Sequence, residues 1–219
     1  MTSPPTHASA PTTALRFAAL HVRDYRRYYA ATLLAMTGDT IEHVISYWVI
    51  FQKFHSPTLA GFAIVSHWVP FLLFSAYTGA LADRYDCRKL IQTSQALYVL
   101  ATVAWGLLIL TDALAIWHAV VILLVHGAAG VVGGTASQLI IHDMVGPSHL
   151  HSAVRLNASS RHLSLLFGPA VGAGLMLLLG PAAGLLANAL AYLPLTILLL
   201  RIPYTGHAER VPSGAPARR

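Results

Sequence analysis

The sequence predicts an all-α integral membrane protein with six spanning helices, and three observations carry that expectation. Long apolar runs recur; residues 59–81 and 90–110, for instance, hold no formal charge. A hydrocarbon core of roughly 30 Å needs about twenty apolar residues of helix, so each run is long enough to cross it. Of the 219 residues, 56% are hydrophobic and only 10% charged, where a soluble domain carries about a quarter charged. Finally, the cations that make the net charge +6 flank the apolar runs. That placement argues against nucleic acid as a partner, which calls for a basic face interleaved with aromatics.

Taken in order, residues 1–13 are rich in Ser, Thr, Pro and Ala and read as a disordered tail. They lack the basic start, apolar core and cleavage site of a signal peptide. Residues 15–29 mix Arg16, Arg23, Arg26 and Arg27 with Tyr25, Tyr28 and Tyr29, which predicts an interfacial collar before the first span. Spans are expected at 28–52, 59–82, 90–111, 114–141, 154–179 and 182–201, forming one membrane domain over 14–202. Residues 203–219 carry Pro203, Gly206, Pro212, Gly214 and Pro216 and read as a second disordered tail.

Orientation follows from Lys and Arg. With the N-terminus inside, Arg84, Arg88, Lys89, Arg155, Arg161 and Arg201 fall at or towards the cytoplasmic side, leaving Lys53 outside. Both termini are therefore expected in the cytoplasm. Small residues four apart, at Gly130 and Gly134, Gly168 and Gly172, and Gly180 and Gly184, predict close helix packing. The single cysteine, Cys87, excludes an internal disulfide framework.

The first span holds Asp39, Glu42 and His43 on one helical face, close to the bilayer centre. Ionisable groups at that depth are costly and by default mark a proton or substrate pathway. Arg161 and His162 in the fifth span are the expected partners, as a switchable gate or as a permanent ion pair that holds the bundle together. His67 and His126 lie within spans, where a neutral imidazole bonded to a neighbouring helix is expected. His142, His149 and His151 match no standard metal spacing, so no metal and no cofactor is expected. The chain lacks a Walker-A loop, a His-Glu-x-x-His pair and a Gly-x-Ser-x-Gly elbow, which argues against an enzyme.

Residues 79–89 read GALADRYDCRK, a charged knot between two apolar runs. This resembles the loop between helices two and three of the major facilitator superfamily, Gly-x-x-x-Asp-Arg-x-Gly-Arg-Arg/Lys. Gly79, Asp83, Arg84 and Arg88 fall on the pattern, while Asp86 replaces its glycine and Cys87 an arginine. Gly168, Pro169 and Gly172 resemble the Gly-Pro-x-x-Gly antiporter motif of helix five. His126 stands where the helix-four motif usually carries an arginine.

The resemblance, to the drug and siderophore exporter branch, implies an N-terminal half built as a 3+3 inverted repeat. It implies proton-coupled efflux of a small molecule by alternating access, in the inner (plasma) membrane. In that scheme Gly79, Asp83, Arg84 and Arg88 latch the inner side, and Gly168, Pro169 and Gly172 form a helix-five hinge. The expected partners are the lipid bilayer, protons, a small-molecule substrate, and a second copy or a separate C-terminal half. A non-transporting scaffold, or an inactive fragment that needs such a half, stays open as the alternative.

Overall fold

The computed structural model describes residues 17–207. The expected tail 1–13, most of 203–219, and Arg16, Arg210, Arg218 and Arg219 lie outside them. A 3-10 turn, Ala18–His21, leads into helix α1 (Arg23–Phe54), followed by α2 (Pro57–Arg84), α3 (Cys87–Leu110) and α4 (Ile116–Asn188). A second 3-10 turn, Ala189–Tyr192, joins α4 to α5 (Leu193–Arg201), and the described residues contain no strand. Two starts are set by local chemistry: Ser56 accepts a hydrogen bond from the Leu59 N–H ahead of Pro57, and Asp86 accepts one from the Arg88 N–H.

Helix α4 is assigned over 73 residues, but it is not one rod. Gly146 (φ 64°, ψ 176°) and Gly180 (φ 78°, ψ 165°) leave helical space, each directly before a proline, Pro147 and Pro181. A proline disfavours helical geometry in the residue before it, and glycine alone takes positive φ without penalty. The chain therefore turns at both points, giving helical segments over 116–145, 147–179 and 181–188. After the second turn Gly184 packs back on the Leu175 carbonyl. The expected spans fall on helical segments, with three differences. The expected last span, 182–201, is divided by the 3-10 turn Ala189–Tyr192. Helix α1 starts earlier than 28, and the expected loop at 142–153 shrinks to the break at Gly146.

Two apolar cores hold the rods together. One, near the α2–α3 loop, gathers Tyr25, Tyr28, Cys87, Ile91, Ile140, Tyr192 and Leu199. The other, at the opposite end, gathers Ile41, Ile45, Trp105, Ile122 and Leu185. The expected interfacial collar is corrected here. Tyr25 and Tyr28 are each 1% exposed, because α1 begins early enough to turn both rings inward, and the Tyr25 hydroxyl donates to the Ala153 carbonyl at 2.9 Å. Outward-facing leucines do the opposite: Leu177 and Leu178 are each 83% exposed, a surface suited to acyl chains rather than water. Helices α2 and α3 and the stretch Ile116–Arg201 are long and apolar enough to cross a membrane. Helix α1 is long enough but carries Asp39, Glu42 and its flanking cations.

Candidate functional site

The polar site lies where the two cores leave off. Asp39 and Glu42 sit one turn apart on α1 and so point the same way; His126, on the first segment of α4, reaches between them. Its Nε2 is 2.8 Å from Asp39 Oδ1 and its Nδ1 is 3.0 Å from Glu42 Oε1. The other Glu42 oxygen accepts from the Thr102 hydroxyl of α3 and, at 3.5 Å, from the Tyr192 hydroxyl. Every buried oxygen of Glu42 is thus satisfied, as a carboxylate in a dry interior requires.

The three groups differ in access. The Asp39 side chain is 31% exposed, against 3% for Glu42 and 5% for His126. Asp39 forms part of the wall of a cavity of about 540 Å³, together with His43, His67, Gln95, Tyr98 and Arg161. His43 Nδ1 donates to the Asp39 carbonyl at 2.7 Å. Stacking fixes the back wall, where the Tyr98 ring lies parallel to Tyr192 with centroids 5.5 Å apart and edge-on to His126 at 4.7 Å.

The sequence-expected residues divide accordingly. Asp39, Glu42 and His43 are brought together, and Arg161 reaches the same cavity. Among the described residues the histidine nitrogens within 4 Å of the Asp39 carboxylate are those of His43, at 3.7 Å, and His126, at 2.8 Å, and the one beside Glu42 is that of His126, at 3.0 Å. Arg161 forms no ion pair there, and His162 is exposed, outside the cavity wall. Tyr47, His67 and Trp68 line the same cavity. His126, expected from the sequence only as an imidazole bonded to a neighbouring helix, bonds to α1 through both ring nitrogens and joins the site. Its signal was its place at the position where the helix-four motif usually carries an arginine, a position already given to charge.

The family model described as "transmembrane secretion effector", of the major facilitator superfamily, matches residues 14–215. The chain belongs to this family. It is also similar to the staphyloferrin A transporter of Staphylococcus aureus, 22% identical over 189 residues, which cover 86% of this chain and 47% of that protein. The chain thus spans about half the length of the curated relative it matches. No solved structure matches it. A major facilitator protein is a multi-pass membrane protein of a transporter family rather than an enzyme family.

The remaining family positions fall at two places. In the α2–α3 loop, Arg88 pairs with Asp86 (Nη2–Oδ2 2.7 Å) and donates to the Ile202 carbonyl at 2.7 Å. Burial alone would raise the Asp86 carboxyl, but the hydrogen bonds from Arg88 outweigh it and hold it below the usual carboxylate range. Asp86, where the family pattern has glycine, is thus both the cap of α3 and the anchor of Arg88. Asp83 and Arg84 are exposed, and Gly79 faces Thr135 without crowding. In α4, Gly168 lies flush on Thr40, where an added Cβ would stand 2.6 Å from the threonine Cβ, and Gly172 packs on Ile41. Helical dihedrals continue through Pro169.

Proposed function

We propose that the chain forms a six-helix transporter half with both termini cytoplasmic, working in proton-coupled efflux of a small molecule across the plasma membrane. One observation carries the reading: a single imidazole bridges a cavity-facing carboxylate and a buried one. Each gap between a ring nitrogen and a carboxylate oxygen holds one proton. An imidazolium between two carboxylates has the same proton count as a neutral ring between a carboxylate and a carboxylic acid, so protons can shift along the line without a net change of charge. A third proton neutralises the set, and it enters at Asp39, which alone of the three reaches the cavity to any extent. Loading and unloading that proton changes the charge of the cavity that Arg161 also lines and biases it between open and closed forms.

The wall chemistry indicates the cargo class. Tyr47, Trp68 and Phe71 offer aromatic faces, Asp39 and Arg161 opposite charges, and the buried Oε1 of Gln95 has no partner. A cargo with an aromatic or amphipathic body and a hydrogen-bond donor satisfies all of these. The loop at 79–89 and the Gly168–Gly172 contact serve as latch and hinge, and a second six-helix unit closes the cavity. The test uses inside-out vesicles holding an imposed proton gradient, with staphyloferrin A and aromatic cationic dyes as trial cargoes. Transport by the wild type should collapse on adding a protonophore and be lost in Asp39→Asn. Unchanged proton-linked transport by that variant removes Asp39 from the mechanism.

A further inference from the structure

We infer that the cavity wall at Asp39, His43 and His67, together with His126 buried directly behind it, forms a binding site for a divalent transition-metal ion of the zinc class. The three imidazoles come from three different rods, α1, α2 and the first segment of α4. One ring nitrogen of each lies within 4.8 Å of one nitrogen of each of the others. Tetrahedral coordination at 2.0–2.1 Å places ligating nitrogens about 3.4 Å apart, so side-chain rotation by at most about 1.4 Å closes the set.

The hydrogen bonds around the rings already have the form of a metal site's supporting shell. His43 Nδ1 donates to the Asp39 carbonyl, which leaves Nε2 with its lone pair. His126 Nδ1 faces Glu42, which in turn is held by Thr102 and Tyr192. Metal-ligating histidines almost always give their second nitrogen to a carboxylate or carbonyl in this way, fixing ring and tautomer. His67 supplies an independent sign: its Nδ1 is buried with no hydrogen-bond partner, although its ring packs on His43 with centroids 5.3 Å apart. A buried polar atom left unpaired calls for an explanation, and an ion supplies one.

On binding, His126 Nε2 turns from Asp39 to the ion, and the Asp39 carboxylate follows as the oxygen ligand. Three imidazoles and one carboxylate suit zinc, cobalt, nickel or copper ions and not magnesium or calcium, which take oxygen cages. The inference does not need proton coupling and is read by equilibrium binding alone.

The protein, untagged and in detergent, is titrated with Zn²⁺ against a chromophoric chelator, and with Co²⁺ as a spectroscopic probe. The expected result is one ion per chain, an intense tetrahedral cobalt band, and a raised thermal midpoint with zinc. His67→Gln and His43→Gln should each weaken binding by more than about 100-fold, since each removes a ligand outright. His162→Gln, outside the cavity wall, should not change it. In a further arm the zinc nitrilotriacetate chelate replaces the free ion: retained chelator identifies a chelated ion as the ligand, and zinc alone the free ion. Absence of saturable binding, a weak octahedral cobalt spectrum in the wild type, or affinity unchanged in both glutamine variants overturns the site. The cobalt spectrum needs no variant, so a misfolded one does not leave the question open.

Discussion

His126 holds two bonds that few other side chains could make together, because its ring carries a nitrogen on each side at fixed separation. Replacing it with alanine leaves Glu42 buried at 3% exposure without its ring partner, and stranding one half of a buried pair costs about 3–5 kcal/mol. His126→Ala should therefore lower thermal stability in detergent by that amount. Because the cost comes from the stranded acid, Glu42→Gln introduced on top of it should cost much less than Glu42→Gln alone. Additive losses in that double-mutant cycle would show that the two side chains act independently. The residue scale is also where the sequence was most and least readable. Asp39 and Glu42 could be found because acids are rare at bilayer depth. Their partner could not, since pairing between rods depends on rotation and register that no single helix reveals. Arg161 was the more obvious cation, and it reaches the cavity without forming the pair.

At the scale of elements, three Gly-Pro pairs look identical in the sequence: Gly146-Pro147, Gly168-Pro169 and Gly180-Pro181. Two of them break the helix at positive φ, and the third stays helical. Packing makes the difference. Nothing lies within 4 Å of an added Cβ at Gly146 or Gly180, while Gly168 is held against Thr40. The helix-five motif was legible as a pattern of small residues, but which glycine turns the chain and which one touches a neighbour needed the neighbour. The contrast gives a paired prediction. Gly168→Val drives a branched side chain into Thr40 and should cost about 1–3 kcal/mol. Gly174→Ala, with nothing within 4 Å, should be neutral or gain up to about 1 kcal/mol from helix propensity. Chemical or thermal unfolding of the two variants side by side decides this; equal losses would mean the α1–α4 contact is loose. The loop makes a prediction of its own from Asp86. A carboxyl held below its ordinary range when folded contributes stability that is complete above its unfolded value. That contribution is lost as pH falls through the folded value. Protection of the 86–89 amides from hydrogen exchange, corrected for the intrinsic exchange rate, should therefore fall in wild type as pH is lowered through that value, while Asp86→Asn should lack it at neutral pH as well.

Across the whole molecule, the chain after α5 ties the bundle together at the α2–α3 loop. Asp143, near the end of the first α4 segment, accepts from the Thr205 and Gly206 N–H groups at 3.1 and 2.9 Å. The Cys87 N–H donates to the Thr205 carbonyl at 2.9 Å, and the Tyr204 hydroxyl donates to Asp24 at 3.2 Å. Residues 203–207 thus join α1, α3 and α4 and cover the Cys87 thiol, which is fully buried beneath Gly206. At the other end Lys53 pairs with Asp112 at 2.5 Å, linking α1 to the turn after α3. These two ends should face opposite sides of the membrane, and the burial of the natural cysteine makes that measurable. Wild-type protein in intact cells should take up almost no membrane-impermeant maleimide, because its thiol is covered. Ala113→Cys, beside the Lys53–Asp112 pair, should label from outside; Lys89→Cys, beside the Asp86–Arg88 pair, should label only after the membrane is permeabilised. Labelling of both from the same side would mean that α3 does not cross, and the proposed six-span arrangement would fail with it, since every later crossing is counted from that one.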